Sequence, residues 1–304
     1  MRNSRVGAGT ISKMNLRETI LASGESDCVT LICPCCFSGT WETVQRVRFA
    51  SLSKCSNCGL LATTSFLKKY GALEALYDVT PQNHEEYRKH YLASRLSFYN
   101  GILPKLDRFR QTSHLLEVGS GYGYFLGMAS QRDWDAEGVE ISQYACDVAR
   151  SRGYKVHQQD LLAVQVAFES YDVVVMWDVI EHLANVGPIV ERCAALLRPG
   201  GALIARTPDG RALNCTKGFM AAAYRHFAYP ANTAEHIFHF TPETLSLLVT
   251  RNGLKEIEID SRGAWEERPV SGRSAFVRIG RYLVLRHSYI KGWPYEFVMT
   301  AVKG

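Results

Sequence analysis

Two groups of residues in this 304-residue chain have the types and spacing of reactive sites. The first pairs histidine with carboxylate. His182 closes the run Asp178-Val179-Ile180-Glu181-His182, and Glu235-His236 stands just before Ile237-Phe238-His239-Phe240. Imidazole titrates near pH ~6.5, so it can take or give a proton at neutral pH. A carboxylate beside it can orient the ring and stabilise its charged form. The second group is made of thiols. Cys33-Pro34-Cys35-Cys36 and Cys55-Ser56-Asn57-Cys58-Gly59 are two CxxC knuckles separated by 18 residues. That spacing suits a four-thiolate zinc site, with Cys33, Cys36, Cys55 and Cys58 as ligands and Cys28 or Cys35 as alternatives to Cys33. With four positions filled, none is open for water, so such a zinc would be structural. A disulfide pair is the competing reading. It is disfavoured because no signal peptide opens the chain and Cys146, Cys193 and Cys215 are scattered through the rest.

The elements that must position the histidines follow from apolar runs and glycines. Leu115-Leu116-Glu117-Val118-Gly119-Ser120-Gly121-Tyr122-Gly123-Tyr124-Phe125 reads as a buried strand, a turn of three alternating glycines and a helix start. Glu117 leads the turn, and no Lys-Ser/Thr pair follows to hold phosphates. A negative turn lined by backbone amides suits a cationic cofactor better than an anionic dinucleotide. Gly138-Val139-Glu140 ends a second strand about 20 residues on, where an acid grips ribose hydroxyls. Ser142 caps a helix over 142–152, and 154–157 reads as a third strand before Asp160-Leu161, where Asp160 is placed to accept from an adenine amino group. Residues 171–176 form a continuous apolar run, as in a strand covered on both faces. Leu197-Arg198-Pro199-Gly200-Gly201 breaks a helix ahead of a fifth strand at 202–206.

This ordered set resembles the class I S-adenosylmethionine (SAM)-dependent methyltransferases. The match is carried by EVGSGYGYF (117–125), GVEIS (138–142), the Asp160 turn, YDVVVMWDVIEHL (171–183) and LLRPGGALI (196–204). The resemblance implies a doubly wound α/β fold with a seven-stranded, mostly parallel sheet, joined to a small N-terminal zinc ribbon. It implies that Glu117, Gly119, Ser120, Gly121, Tyr122 and Gly123 surround the methionine part of SAM, that Glu140 and Ile141 hold its ribose, and that Asp160 and Leu161 flank its adenine. Trp177 and Asp178 then sit beside the reacting methyl group. Methyl transfer is an in-line displacement, so the protein must align the nucleophile and remove its proton. The segments around the histidines resemble a subgroup that acts on sugars, including C-methyltransferases of nucleotide-linked deoxysugars. That subgroup also carries an N-terminal zinc-binding segment and a Glu-His pair before an aromatic helix start. By that resemblance His182, Glu235 and His236 are active-site candidates, with His236 the preferred base. The tyrosine that those C-methyltransferases place two residues before the glutamate is Thr233 here, and their extra C-terminal domain is missing. Both departures favour O-methylation of a hydroxyl over C-methylation.

These readings divide the chain into a tail (1–27), a ribbon-like segment (28–66), a helical linker or lid (67–111) and a methyltransferase domain (112–304). Substrate-cover insertions fall at 209–234 and 262–291. In the linker, aromatics at three- to four-residue spacing read as a helix packed over the sheet edge, with Tyr87, Tyr91 or Arg95 as alternative lid residues and Pro104 ending the second helix. Near residue 241, Thr241 caps a helix, Pro242 takes its first position and Glu243 its first turn, and the last strand is expected over 296–302. With 46% apolar and 21% charged residues, the composition is that of an ordinary soluble protein. No apolar run approaches the ~20 residues that cross a bilayer, and the chain reads as cytoplasmic. A net charge of +5, much of it in 262–291, suits an anionic small-molecule substrate such as a nucleotide sugar or glycan precursor. The other readings are an RNA methyltransferase and a SAM-binding scaffold. Nucleic acid is disfavoured as a partner, because the basic residues do not gather on the ribbon.

Overall fold

The computed structural model describes residues 31–47, 50–63, 81–90, 92–214, 236–261 and 296–304, and Ile32–Gly304 forms one compact unit. The expectations for the tail, for Cys28, Tyr91, Thr233 and Glu235, and for nearly all of both insertions lie outside the described residues.

The first thiol knuckle precedes β1 (Trp41–Val47) and β2 (Ala50–Cys55), the second leads from β2 into β3 (Leu61–Thr63), and these strands with β9 (Phe238–His239) form a small four-stranded antiparallel sheet. Two helices follow, α1 (Pro81–His90) and α2 (Leu92–Leu106). Pro104 does not end α2, contrary to expectation; the helix runs through it by two residues. A proline in the last turn forfeits one backbone hydrogen bond. Burial of Ile102, Leu103 and Leu106 against the large sheet offsets that loss.

The large sheet comprises β4 (His114–Val118), β5 (Asp135–Glu140), β6 (Lys155–Gln158), β7 (Tyr171–Trp177), β8 (Leu197–Pro208), β10 (Leu254–Asp260) and β11 (Glu296–Lys303), with β9 (Phe238–His239) belonging elsewhere. Its order is β10-β11-β8-β7-β4-β5-β6, with β11 antiparallel to both of its neighbours and the pairs among β4 to β8 parallel. The seven-stranded, mostly parallel architecture expected from the motifs is therefore present. All seven residues of β7 are buried, as a strand with helices on both faces requires. Helices α3 (Tyr124–Ser130), α4 (Gln143–Ser151), α5 (Val186–Leu196) and α6 (Pro242–Arg251) complete the described core.

Local chemistry explains the helix starts. Ser142 accepts from the Ala145 amide at 3.3 Å, capping α4. At α6, Thr241 and Thr244 form a reciprocal capping box with Pro242 in the first turn. The third strand runs Lys155–Gln158, one residue later than the 154–157 expected. Tyr154 points its ring at the glycine helix instead, where a Cβ on Gly127 would come within 2.2 Å of the Tyr154 hydroxyl. The strand expected at 202–206 is longer, running Leu197–Pro208: Leu197 pairs with Tyr171, the Arg-Pro-Gly-Gly turn makes an irregularity in the register, and pairing with β7 resumes at Ala202 opposite Val173.

One polar knot ties the sheet's lower edge. Asp172, fully buried on β7, accepts at 2.7 Å from the backbone amides of Gln111, Thr112 and Ser113 and is ion-paired to Arg198. Burial alone would push its carboxyl up, but Arg198 and the three amides hold it below the usual carboxylate range. A depressed folded pKa contributes stability above the unfolded value near pH ~3.9, and that contribution is lost as pH falls through the folded value. Replacing Asp172→Ala leaves four donors unpaired and is expected to lower the unfolding free energy by about 3 kcal/mol. Urea denaturation at pH 7 and pH 3 should show the deficit at pH 7 shrinking in acid; an equal deficit at both would contradict this account.

Candidate active site and metal centre

Strand order reverses between β4 and β7, and the ends of these two neighbours form the crevice where ligands bind in open α/β sheets. The register Val118↔Met176 brings the glycine turn after β4 beside Trp177, the last residue of β7, and Asp178 just beyond it. Gly119 (φ +73°) and Gly121 (φ +50°) occupy the left-handed region. A Cβ on Gly119 would lie 2.5 Å from Val179 Cγ2, so the turn is locked against the β7 loop, whereas a Cβ on Gly121 would meet nothing within 4 Å. The turn is thus tight on one side and open on the other. Ser120 lies beneath it and contacts the Cβ position of Gly138.

Glu117 is buried, and its Oε2 has no hydrogen-bond partner. Burial, reinforced by the Glu140 charge, pushes its carboxyl well above the usual range. An isolated carboxylate in that position is costly, and a cation arriving at the turn would relieve it. Glu140 is held by the amides of Gly121 (2.9 Å), Ile141 (2.8 Å) and Ser142 (2.9 Å), which fixes an acid at the end of β5 where ribose hydroxyls are gripped. Asp160 caps its own turn through the Leu162 amide at 2.8 Å, with Leu161 buried and Asp160 exposed. These residues fit the cationic, phosphate-free ligand expected from the sequence.

Helix α1 lies over this turn. His84 stacks on Tyr122 (centroids 3.9 Å apart) and bonds the Tyr124 hydroxyl at 3.1 Å, while Tyr87 stacks on Tyr124 at 5.9 Å. Arg95 on α2 is ion-paired to Asp178, which adopts a left-handed φ of +53° at the tip of β7. Arg206 lies 3.8 Å from Asp178 and is paired with Glu296. Arg95 therefore anchors the β7 tip, and the rings beside the glycine-turn tyrosines are those of Tyr87, one of the lid alternatives, and His84, which no sequence pattern marked.

The two histidines meet although 54 positions separate them. His182, in a short turn after β7, and His236, just before β9, have ring centroids 4.6 Å apart at 79°. Between them stands Glu181, whose Oε1 is 3.9 Å from His182 Nε2 and 4.0 Å from His236 Nε2. Burial, then the charge of Asp178, pushes the Glu181 carboxyl up to about 8. Thr207 donates to its other oxygen at 2.9 Å. Sequence reasoning paired His236 with Glu235; the described carboxylate at both rings is Glu181. Its only signal was a place next to His182 in the Asp-x-x-Glu-His run.

The thiols also converge. Sγ atoms of Cys33, Cys36, Cys55 and Cys58 all lie within 4.8 Å of one another, with Cys33–Cys58 at 3.5 Å and Cys36–Cys55 at 3.4 Å. These distances are too long for disulfides (about 2.05 Å) and near the ~3.8 Å edge of a tetrahedron with ~2.3 Å zinc–sulfur bonds. Cys35 is buried outside that set. The second knuckle turns through Gly59 (φ +81°) into β3, and β3 pairs with β9, Leu61 opposite His239 and Ala62 opposite Phe238. The Thr63 amide donates to the Ile237 carbonyl at 2.8 Å, and Thr63 Oγ1 lies 3.0 Å from His239 Nε2. Burial pushes His239 down to about 4, so it stays neutral. The small sheet thus continues through β9 to within two residues of His236.

Comparison with known proteins agrees with this geometry. A family profile described as "Methyltransferase domain" matches residues 84–259. The chain belongs to this methyltransferase-domain family. It is 30% identical over 145 residues to a ubiquinone biosynthesis O-methyltransferase of Nitrobacter winogradskyi, covering 46% of this chain and 56% of that protein. A namesake from Agrobacterium fabrum is 29% identical over 174 residues, covering 55% and 69%. The chain thus spans little more than half the length of the first of these relatives. Among solved structures, a SAM-dependent methyltransferase from Archaeoglobus fulgidus superimposes with a TM-score of 0.51 at 18% identity, covering 69% of this chain and 94% of that one. A geranyl diphosphate methyltransferase in complex with SAM gives 0.52 at 16%, covering 68% and 85%. These likenesses establish the fold: the sheet is that of the SAM-dependent methyltransferases.

Two outcomes follow from the site. Cys55→Ser with Cys58→Ser should abolish a zinc content of about one per chain and loosen the β3–β9 pairing, read by metal analysis and amide exchange. Gly119→Ala, forced into a left-handed backbone against Val179, should cost on the order of 1–3 kcal/mol of stability by thermal denaturation.

Proposed function

We propose that the protein is a SAM-dependent methyltransferase that transfers a methyl group to a hydroxyl of a small molecule. The observation that carries this reading is the buried Glu117 carboxylate with an unpartnered oxygen beneath a glycine turn that is open at Gly121. A sulfonium compound supplies the positive charge that this carboxylate lacks. Glu117, Gly119, Ser120, Gly121, Tyr122 and Gly123 then cradle its amino-acid part. Glu140 and Ile141 take the ribose, Asp160 and Leu161 border the adenine, and Trp177 and Asp178 line the side of the methyl group. The rigid β7 tip, fixed by Arg95 and Arg206, aligns the reactants, which is the main contribution a methyltransferase makes to rate.

The acceptor's proton leaves toward the cluster of Glu181, His182 and His236, with His236 the preferred base and Glu235 beside it in sequence. Hydroxyl acceptors are favoured by the names of the curated relatives, which are O-methyltransferases. A sugar or glycan precursor, or a secondary-metabolite hydroxyl, fits a chain with +5 net charge if the acceptor is anionic. In this reading the zinc ribbon of 28–66 is a structural brace for the 112–304 domain. No helix among the described residues is long and apolar enough to cross a membrane.

Calorimetry with S-adenosylhomocysteine tests the cofactor reading: binding is expected, with NAD and ATP ignored, and the reverse pattern would refute it. Labelled SAM offered with fractionated small molecules, glycans and RNA should mark a small-molecule fraction. His236→Ala is expected to slow transfer by on the order of 100-fold while S-adenosylhomocysteine affinity stays within about twofold. Unchanged turnover would remove His236 from the proton-transfer role.

A further inference from the structure

The contacts that hold α1 over the glycine turn centre on one imidazole. The helix is ten residues long and mostly polar, and none of its described side chains is buried. A helix of that length has little stability of its own, so its position depends on what its side chains touch. Tyr87 packs against Tyr122 and Tyr124, hydrogen-bonds Tyr99, and feels the charges of Arg95, Glu117 and Asp178, so α1 reaches the Glu117 end of the cleft. One turn earlier, His84 stacks on Tyr122 with centroids 3.9 Å and planes 23° apart. Its Nε2 lies 3.1 Å from the Tyr124 hydroxyl and its Nδ1 lies 3.4 Å from the Tyr144 hydroxyl. Tyr122 belongs to the glycine turn, Tyr124 opens α3, and Tyr144 lies in the first turn of α4, shortly after Glu140. A single ring therefore joins α1 to both segments that hold the methionine and ribose parts of the cofactor in the reading above.

We propose that His84 is a proton-sensitive latch, whose neutral ring locks α1 across the cofactor cleft and so sets how fast the cofactor departs. The proposal rests on the methyltransferase reading and makes His84 a positioning residue that acts through Tyr122, Tyr124 and Tyr144. Its hydrogen bonds call for the neutral ring. Arg152, just after α4, is a donor only; its Nη2 donates to the Tyr124 hydroxyl at 3.2 Å, and its guanidinium lies 4.3 Å from the centroid of that ring. The one proton of the Tyr124 hydroxyl is left for His84 Nε2, so that nitrogen accepts and Nδ1–H donates to Tyr144. A proton added at Nε2 would oppose the Tyr124 hydroxyl proton and set a second cation beside Arg152.

Facing the ring are Tyr122 and Tyr124 from the glycine turn, Tyr144 from α4, Arg152 beyond it, and Glu85 and Arg88 on α1 itself. Burial, then the Arg152 and Arg88 charges, hold His84 below its ordinary value, with Glu85 opposing in smaller measure. Glu85 is itself ion-paired to Arg88 at 3.7 Å. On a detached α1 the ring returns to a pKa of ~6.5. Docking is therefore fully favoured above that pH and is lost as pH falls through the lower, docked value. The latch changes exchange of the cofactor more than the chemistry of transfer.

The full chain is loaded with S-adenosylhomocysteine, and its exit is followed by stopped-flow displacement at pH 7 and pH 5. The native rate is expected to rise on the order of 10-fold in acid. His84→Ala, which removes the stack and both hydrogen bonds, should release the ligand on the order of 10-fold faster than native at pH 7. His84→Gln keeps a group that donates and accepts but takes up no proton. It should stay within about threefold of the native rate at pH 7 and show little rise in acid. Native-like exit from His84→Ala at pH 7, or an acid rise in His84→Gln equal to the native one, would overturn the latch. Amide exchange gives a second measurement: residues 81–90 should lose protection in His84→Ala while β4 and β7 keep theirs, which separates a released helix from a damaged fold. Equal exchange of α1 in both proteins would also overturn the latch. Failure of the native chain to bind S-adenosylhomocysteine would instead overturn the methyltransferase reading, with exchange at α1 still reporting whether His84 holds the helix.

Discussion

The lateral register of β4 against β7 is the constraint on which the rest of the structure depends. Parallel pairing of Leu115–Val118 with Val173–Met176 makes the two strands end together, at the point where strand order reverses. Everything that the site needs is delivered to that line. The glycine turn leaves β4, the Trp177–Asp178 tip leaves β7, and a Cβ added at Gly119 would strike Val179. A one-residue slip would reverse which side chains face each side of the sheet, and Glu117 would leave its buried position. The cost of holding Glu117 there unpartnered is borne by the sheet's apolar burial.

A second constraint runs through backbone hydrogen bonds. The thiol knuckle at Cys55–Cys58 turns directly into β3, β3 pairs with β9, and β9 begins two residues after His236. Four thiolates gathered by metal would therefore fix one end of a segment whose other end carries the His236 ring. The small sheet is bound edge to edge to the larger body through this pairing. Small metal-dependent units need such a staple, since their own cores are too small to order them. Neutral His239, bonded to Thr63, seals the junction without placing a charge in a buried seam.

The fold was legible because its signals are local and redundant. Apolar runs at 115–118 and 171–177, glycines between strand and helix, and Ser142 and Thr241 at helix starts each name their element. Departures arose where burial outweighed local propensity. Pro104 sits inside a helix whose last turn is buried, and the Arg-Pro-Gly-Gly turn is taken into β8 as an irregularity in its pairing with β7. The ligand turn was legible for the same reason, since its residues are contiguous. His84 over Tyr122, Arg95 on Asp178 and Arg206 on Glu296 were not, since each joins segments tens of residues apart.

The sequence by itself determined the sheet, the glycine turn and the four-thiol set, and it marked His182 and His236 as candidates, because each is written in adjacent residues or short fixed spacings. Only the tertiary structure placed Glu181 between the two described rings and joined the thiol segment to them through β3 and β9. Glu181 gains its position between the rings from the Ile237 amide and the Thr207 hydroxyl, groups contributed by two other segments. Such contacts depend on the crossing of chain segments in space, which no periodicity within any one of them encodes.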